Sequence, residues 1–145
     1  MSGYPVLSTQ VIGQAESALG AILDPLLART GTTFDQWLVL TVTAASGSVV
    51  DHDQLIARIT GARKIGAHQV QAAISELAAA DLVLDEPRVG LSGAGQARYR
   101  EIRTALEDIT ARLFAGFPPE DLATAGRVLS IVTTRANAEL ADSQP

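Results

Sequence analysis

Apolar side chains recur at helical spacing along almost the whole chain, and one short segment departs from that pattern. Leu7 and Val11 near the start, and Leu122 and Leu129 near the end, repeat every four or seven positions, as residues on one face of an α-helix do. The exception is residues 82–91, where two short β-like runs flank a turn, which predicts a small hairpin. Few folds combine several helices with a single late hairpin.

Glycine, proline and serine divide the helical pattern into six runs. The predicted helices cover residues 6–29, 33–45, about 52–60, about 67–80, 92–114 and 119 to about 140. The third is expected to begin after a capping residue, Asp51, and to end at Thr60, with Gly61 just beyond it. The stripes of the first and last helices are too apolar to remain exposed, so we expect them to contact another subunit.

Length and composition favour one domain with a real core. The chain has 145 residues, of which 47% are hydrophobic and 19% charged. It has no cysteine, which excludes disulfides, thiolate metal sites and thiol-based redox sensing. We find no secretory signal and no run of about 18 apolar residues. We therefore expect a cytoplasmic protein with no membrane partner.

The charge balance argues against a broadly basic nucleic-acid-binding surface. The net charge is −5, with 11 basic and 16 acidic residues. Between Asp51 and Leu91 there are four basic and six acidic side chains, a net charge of −2. Because phosphate neutralisation provides most DNA affinity, this segment predicts weak DNA binding unless its four cations cluster on one face.

Three stretches carry a resemblance to a known family. They are Thr33 to Leu40, which opens a helix with Gln36-Trp37 before aliphatic residues, Val70 to Val83, which ends in Asp81-Leu82-Val83, and Leu91 to Gly95 with the sequence Leu-Ser-Gly-Ala-Gly. Each is weak alone, but their order and spacing cover nearly the whole chain. Together they resemble the MarR family of bacterial transcription regulators.

The resemblance implies a mainly α fold, a winged helix-turn-helix with a small β-hairpin wing between long dimerisation helices. It implies a single domain over residues 1–145, with the winged helix-turn-helix at about 33–91 and the dimerisation helices at 6–30 and 92–140. The implied partners are a second copy of the chain, a double-stranded DNA operator and a small aromatic or anionic effector. No cofactor is implied.

Two departures from the family fall on the expected DNA side. Only residues 85–88 connect the hairpin strands, and Arg88 is the sole basic residue there, whereas the family's wing is longer and more basic. The connection from Thr60 to His68 also reads as longer than usual. Both departures put DNA binding of the family's kind in question and leave the fold expectation unchanged.

The candidate DNA-contacting residues lie around the start of the fourth helix and in the wing. A recognition helix reads base edges from its N-terminal end through polar side chains. The candidates are Arg63, Lys64, His68, Gln69, Gln71, Ser75 and, in the wing, Arg88. The alternative for the helix is an ordinary solvated face, and for Arg88 a turn arginine without a partner.

Phe34, Trp37 and His52 are the candidate effector-binding residues. The resemblance implies a ligand pocket between the dimer helices and the winged domain, which these side chains could line; the alternative for Phe34 and Trp37 is simple core packing. His52 lies between Asp51 and Asp53, which suggests a metal site, but a capping aspartate beside a solvated histidine explains the pattern better. No metal ligand is therefore assigned.

The sequence thus favours a homodimeric transcriptional regulator that binds a palindromic operator and is released by a ligand. The rival is a winged-helix dimer that has lost DNA binding and serves as a protein-interaction or ligand-binding module. An enzyme is not expected, because no phosphate-binding loop or nucleophile–base constellation has a diagnostic spacing.

Overall fold

The computed structural model describes residues 3–143, within which six helices and a small sheet follow one another. In chain order the elements are α1 (Thr9–Ala28), α2 (Phe34–Ala45), β1 (Val49–Val50), α3 (His52–Arg63), α4 (Ala67–Ala79), β2 (Val83–Leu84), β3 (Val89–Leu91), α5 (Gly93–Leu113) and α6 (Pro119–Asp142). The mainly helical expectation and the late hairpin are confirmed. The ends of the predicted single domain, residues 1–2 and 144–145, lie outside the described residues.

The chain divides into two compact units, Met1–Asp108 and Ile109–Pro145. The first unit holds the core, in which α2, α3 and α4 pack together and against the sheet. Its fully buried side chains are Val39, Leu40, Thr43, Leu55, Ile59, Val70, Ile74, Leu77 and Val89. Three helices followed by a hairpin, packed in this way, form a winged helix-turn-helix.

The sheet contains a strand that the sequence pattern did not predict. β1 pairs with β3 in antiparallel register, Val50 opposite Val89, and β3 also pairs with β2, so the strand order is β1-β3-β2. Two residues are too few to show alternation, and only the β-branched pair Val49-Val50 after a glycine-containing turn hinted at it. Both strands of the wing are thereby anchored to the first unit's core.

Side-chain caps fix where α2 and α3 begin. The Gln36 amide donates to the Thr33 hydroxyl and the Thr33 amide donates to Gln36 Oε1, a complete capping box. At α3, the Gln54 amide donates to the Asp51 carboxylate at 3.3 Å. Thr33 and Asp51 therefore fix the residues at which α2 and α3 begin.

The expected end of α3 at Thr60-Gly61 is wrong. The helix continues to Arg63, and Lys64 adopts the left-handed conformation (φ 59°) that closes it. Arg63 lies over the Phe34 ring, 5.0 Å from its centroid, so tertiary contacts of the last turn extend the helix past Gly61. The connection to α4 is only three residues, 64–66, and the long connection expected from the sequence does not exist.

The junction between β3 and α5 is unusually close. The Gly95 amide donates to the Ser92 hydroxyl, which in turn donates to the Asp81 carbonyl at 2.7 Å. A Cβ at Gly95 would lie 1.9 Å from the Leu82 carbonyl oxygen. This contact explains why the Leu-Ser-Gly-Ala-Gly stretch carries a glycine here, since only a residue without a side chain fits.

α1 is largely exposed within the first unit, with only Leu26 and Leu27 buried. By length and composition it could span a membrane, contrary to the expectation from the sequence. One such helix is weak evidence for a membrane span, because the core helix of a soluble protein and a signal sequence pass the same test. Glu16, on this helix, pairs with Arg63 of α3 at 3.6 Å, so α1 also makes a polar contact with the helix-turn-helix.

Candidate nucleic-acid interface

The N-terminal end of α4 is exposed, as a recognition helix requires. Gly66, Ala67, His68 and Gln69 are all solvent-exposed, and the helix is anchored from Val70 onward by buried side chains. The Gly66 amide donates to Gln69 Oε1 at 3.1 Å, so Gln69 also caps the helix. Its amide nitrogen remains available to an acceptor, and His68 is exposed beside it.

The second turn of α4 presents two further sequence candidates that bond to each other. Gln71 Nε2 donates to the Ser75 hydroxyl at 3.2 Å, one helical turn away. Glu76, also on this helix, accepts a hydrogen bond from Gln36 of α2 at 2.9 Å. The polar face of α4 is therefore ordered along its length, partly by contact with α2.

Arg63 and Lys64, the adjacent basic pair before α4, are arranged differently from each other. Arg63 lies over the Phe34 ring and 3.6 Å from Glu16. Lys64 bonds through its ammonium group to the Gly61 carbonyl. The structure thus joins Arg63, a DNA candidate, to Phe34, an effector candidate, and leaves Lys64 exposed in the turn before α4.

The wing is short and carries Arg88 at its exposed end. Arg88 lines an open cleft of about 720 Å³ with residues of α2, β1 and α3. On the same side of the turn, His52 Nε2 lies 3.9 Å from Asp85 Oδ1. His52 therefore lies beside Asp85, the first residue of the wing loop. It lies at the opposite end of α3 from Arg63, about 16 Å away along the helix axis.

Arg58 was not among the candidate residues from the sequence, yet it lines the same cleft as Arg88. Its Nη1 atom donates to the Ser46 hydroxyl at 2.7 Å. The spacing of Arg58 could have identified it from the sequence. Arg58 lies one turn after Gln54 and two turns after Asp51, so the three residues share one face of α3. Sequence reasoning concentrated on α4 and missed this face.

A second cluster joins α2 to α5 through aromatic rings. Trp37 is buried at 7% exposure and stacks on Tyr99, with ring centroids 5.5 Å apart. Arg103 lies over the other side of this cluster, 5.8 Å from the Tyr99 centroid, and donates to the Tyr99 hydroxyl at 3.1 Å. The hydrogen bond to Tyr99 and the nearby Glu107 carboxylate raise the pKa of Arg103 above its ordinary value.

Trp37 therefore belongs to the core, while the neighbouring charges are accessible. Arg98, one residue before Tyr99, donates to the buried Thr32 hydroxyl at 3.3 Å. Neither Tyr99 nor its two arginine neighbours was identified from the sequence, although Tyr99 and Arg103 are one helical turn apart. The Tyr99 ring with the Arg103 guanidinium beside it is a combination that suits an aromatic anion.

Within residues 3–143, no group of three or more histidine, aspartate or glutamate side chains could hold a metal ion. His52 has two acidic neighbours, Asp53 and Asp85, at 3.5 and 3.9 Å. Both are distances between the imidazole and a carboxylate, and the three side chains do not form a group that could hold a metal ion. The side chains of the candidate sites are chiefly arginine, glutamine and aromatic residues, which bind ligands through hydrogen bonds, charge and stacking.

Comparison with solved structures identifies the fold. Ligand-free NadR superposes with a TM-score of 0.74 at 20% identity, covering 90% of this chain and 99% of that chain. CouR from Rhodococcus jostii RHA1, bound to p-coumaroyl-CoA, gives 0.71 at 14% identity, covering 85% and 89%. A MarR-family regulator from Rhodococcus sp. RHA1 gives 0.66 at 16% identity, covering 89% and 98%.

The chain has the fold of the MarR-family winged-helix regulators, as the sequence resemblance implied. No family model matches the sequence. No curated protein matches it either. Of these three neighbours, the protein from Rhodococcus sp. RHA1 is described as a transcriptional regulator of the MarR family, and the likeness of all three to this chain concerns the fold.

Proposed function

We propose that this chain is a homodimeric, DNA-binding transcriptional regulator that a small aromatic or anionic effector releases from its operator. One observation carries the proposal: the exposed N-terminal end of α4 lies in a winged helix-turn-helix whose wing ends in an arginine. An exposed helix start of this kind enters the major groove in winged-helix proteins. The wing arginine then meets phosphate or the minor groove.

The candidate residues take different roles in this proposal. His68 and Gln69 reach base edges from the first turn of α4, because both are exposed there. Gln71 and Ser75 form a bonded pair further along, where they order the helix surface and contact the groove wall. Lys64 and Arg88 supply charge to phosphates on either side.

Arg63 links DNA contact to the rest of the first unit. Its guanidinium is shared between the Phe34 ring and the Glu16 carboxylate, so movement of α1 changes how much of it reaches DNA. Such an arrangement supports a regulator whose DNA affinity depends on the position of α1. Phe34 then acts as a partner of Arg63 in addition to lining an effector site.

The exposed apolar surface supports the dimer. Among the described residues of α6, none is buried, and the large apolar side chains Leu122, Leu129, Ile131, Val132 and Leu140 are at least 38% exposed. In α1, Leu19 is 48% exposed. Patches of this kind on a soluble domain mark interaction surfaces, and a second copy buries identical patches symmetrically.

The effector is proposed to bind beside α2 and α5. The NadR structure in complex with 4-hydroxyphenylacetate superposes with a TM-score of 0.70, and CouR is bound to p-coumaroyl-CoA. In this chain Tyr99 and Arg103 provide a ring and a cation of the kind that such aromatic acids need. Phe34, Trp37 and His52 remain proposed effector residues, with His52 acting through the wing.

The test is fluorescence anisotropy with a labelled duplex from the region upstream of the gene, measured at low salt with a scrambled duplex as competitor. We expect saturable binding that His68→Ala and Arg88→Gln each weaken about tenfold. Arg29→Gln is the matched control, because Arg29 is exposed at the end of α1 and engages no acidic side chain among the described residues. Aromatic carboxylates, 4-hydroxyphenylacetate among them, are then titrated into the complex.

Release of the duplex by one of these acids supports the regulated form of the proposal. Equal affinity for the upstream and scrambled duplexes at low salt, where electrostatic attraction is strongest, contradicts it. In that case the protein-interaction or ligand-binding module becomes the better description.

A further inference from the structure

A cleft of about 720 Å³ opens between the end of α2, β1 and one face of α3, outside both the recognition helix and the aromatic cluster. Its lining is mostly polar, and the wing contributes one side chain to it. The lining residues are Ala45, Ser46, Val49, Val50, Asp51, Gln54, Arg58 and Arg88. Apart from Arg88, none of these residues has a role in the proposed function.

Two arginines from distant parts of the chain meet in this cleft. Arg58 lies on the exposed face of α3, and Arg88 arrives from the wing because β1 and β3 pair with Val50 opposite Val89. That antiparallel register places Arg88 opposite Asp51 at the start of α3. The cleft therefore depends on β1, the strand that holds the wing against the helix-turn-helix.

Neither guanidinium is neutralised by an acid within the described residues. The ion pairs there involve His52, Arg63 and Arg103, and not Arg58 or Arg88. The only carboxylate in the lining, that of Asp51, already accepts the Gln54 amide as a helix cap. In a chain of net charge −5, a concave surface with two unpaired cations and one engaged carboxylate attracts anions.

The available hydrogen-bonding groups are nearly all donors. Arg58 uses one N–H on the Ser46 hydroxyl, which itself donates to the Val42 carbonyl at 2.9 Å, so the guanidinium is oriented and keeps four N–H donors. The first amides of α3, those of His52 and Asp53, have no intrahelical acceptor. An occupant must therefore present several acceptor oxygens and negative charge.

We propose that this cleft binds a phosphate group through Arg58 and Arg88. A phosphate carries three acceptor oxygens pointing in different directions, which suits two guanidinium groups on different elements. The phosphate belongs either to the DNA backbone beside the wing or to a free phosphate or phosphate ester. Only the assignment to DNA rests on the proposed function.

The test is an NMR titration of the full-length protein with inorganic phosphate at constant ionic strength, with chloride as the exchanged ion. We expect saturable shifts of the His52 and Asp53 amides. Arg58→Gln and Arg88→Gln should each weaken binding about tenfold, the loss expected for a charge-assisted hydrogen bond, and Arg29→Gln should not. Unchanged Trp37 emission shows that each variant is folded.

The salt dependence of DNA binding then identifies the source of the phosphate. If it is a backbone phosphate, Arg58→Gln lowers the slope of log affinity against log salt by about one. If it is a free phosphate, the slopes of Arg58→Gln and the unmodified protein are equal. Absence of phosphate-specific shifts, or a phosphate affinity in both arginine variants equal to that of the unmodified protein, overturns the proposal, whereas failure to bind DNA overturns only the proposed function.

Discussion

Single residues decide how closely the elements of the first unit approach one another, and Gly95 is the sharpest case. A Cβ there would meet the Leu82 carbonyl oxygen at 1.9 Å, and that oxygen accepts the Ser92 amide at 3.1 Å. The wing and α5 are therefore joined through backbone atoms at a distance that no side chain tolerates. The sequence shows a glycine at this position but not the carbonyl that requires it.

We expect Gly95→Ala to lower the free energy of unfolding by about 1–3 kcal/mol. The added methyl group forces the backbone at Leu82 away from α5. The matched control is Gly93→Ala, two residues earlier, where a Cβ would meet nothing within 4 Å. That control should be neutral or slightly stabilising, since alanine is the better helix former. Urea denaturation measures both, and equal stability of the two variants would contradict the structure.

At the scale of elements, α5 is coupled to α2 by one aromatic stack. Trp37 and Tyr99 are 5.5 Å apart between ring centroids, and Arg103 bonds to the outer, exposed side of Tyr99. The stack joins the winged domain to the helix that leads out of it. Any ligand that binds against Tyr99 therefore acts on the core through Trp37.

Two replacements of Tyr99 should separate the contribution of the aromatic stack to stability from that of the hydrogen bond to Arg103. We expect Tyr99→Leu to cost about 1 kcal/mol of stability beyond its loss of buried area, the value of an aromatic pair. Tyr99→Phe keeps the ring and loses only an exposed contact with Arg103, so it should change stability little. Trp37, the chain's single tryptophan, reports both unfolding curves by fluorescence, and coincident curves for the two variants would rule out a stabilising stack.

The elements themselves were largely predictable, whereas their tertiary contacts were not. Helical spacing located every helix, and Asp51 caps α3 as expected. The end of α3 was misplaced because the contacts of Arg63 with Phe34 and Glu16, residues distant in sequence, outweigh the glycine signal at Gly61. Tyr99 and Arg58 were missed for the same reason, since their partners are supplied by other elements.

The molecule as a whole leaves large apolar side chains of α1 and α6 exposed. α6 is exposed along its described length, and its stripe of Leu122, Leu129 and Val132 has helical spacing. α1 adds further exposed apolar residues of its own. Interfaces of obligate dimers resemble a core cut in half, and these two helices have that character.

A charge placed in the α6 stripe should therefore dissociate the proposed dimer. We expect Leu129→Glu to shift the molar mass from twice the 15.1 kDa chain mass towards that of one chain, because burying an unpaired carboxylate is costly. Thr134→Glu is the matched control, since residue 134 lies about 140° around the helix from residue 129. Light scattering after size exclusion measures both, and a monomeric unmodified protein would refute the dimer.

The wing's brevity limits how far along an operator this fold can read. Four residues join β2 to β3, and a loop of that length projects about 7 Å beyond its strands. In the proposed DNA complex, a loop this short contacts the edge of one groove and does not extend along it. Discrimination among operators then rests on the two copies of α4, so the informative base pairs should form two compact blocks one helical turn apart, with flanking sequence nearly free to vary.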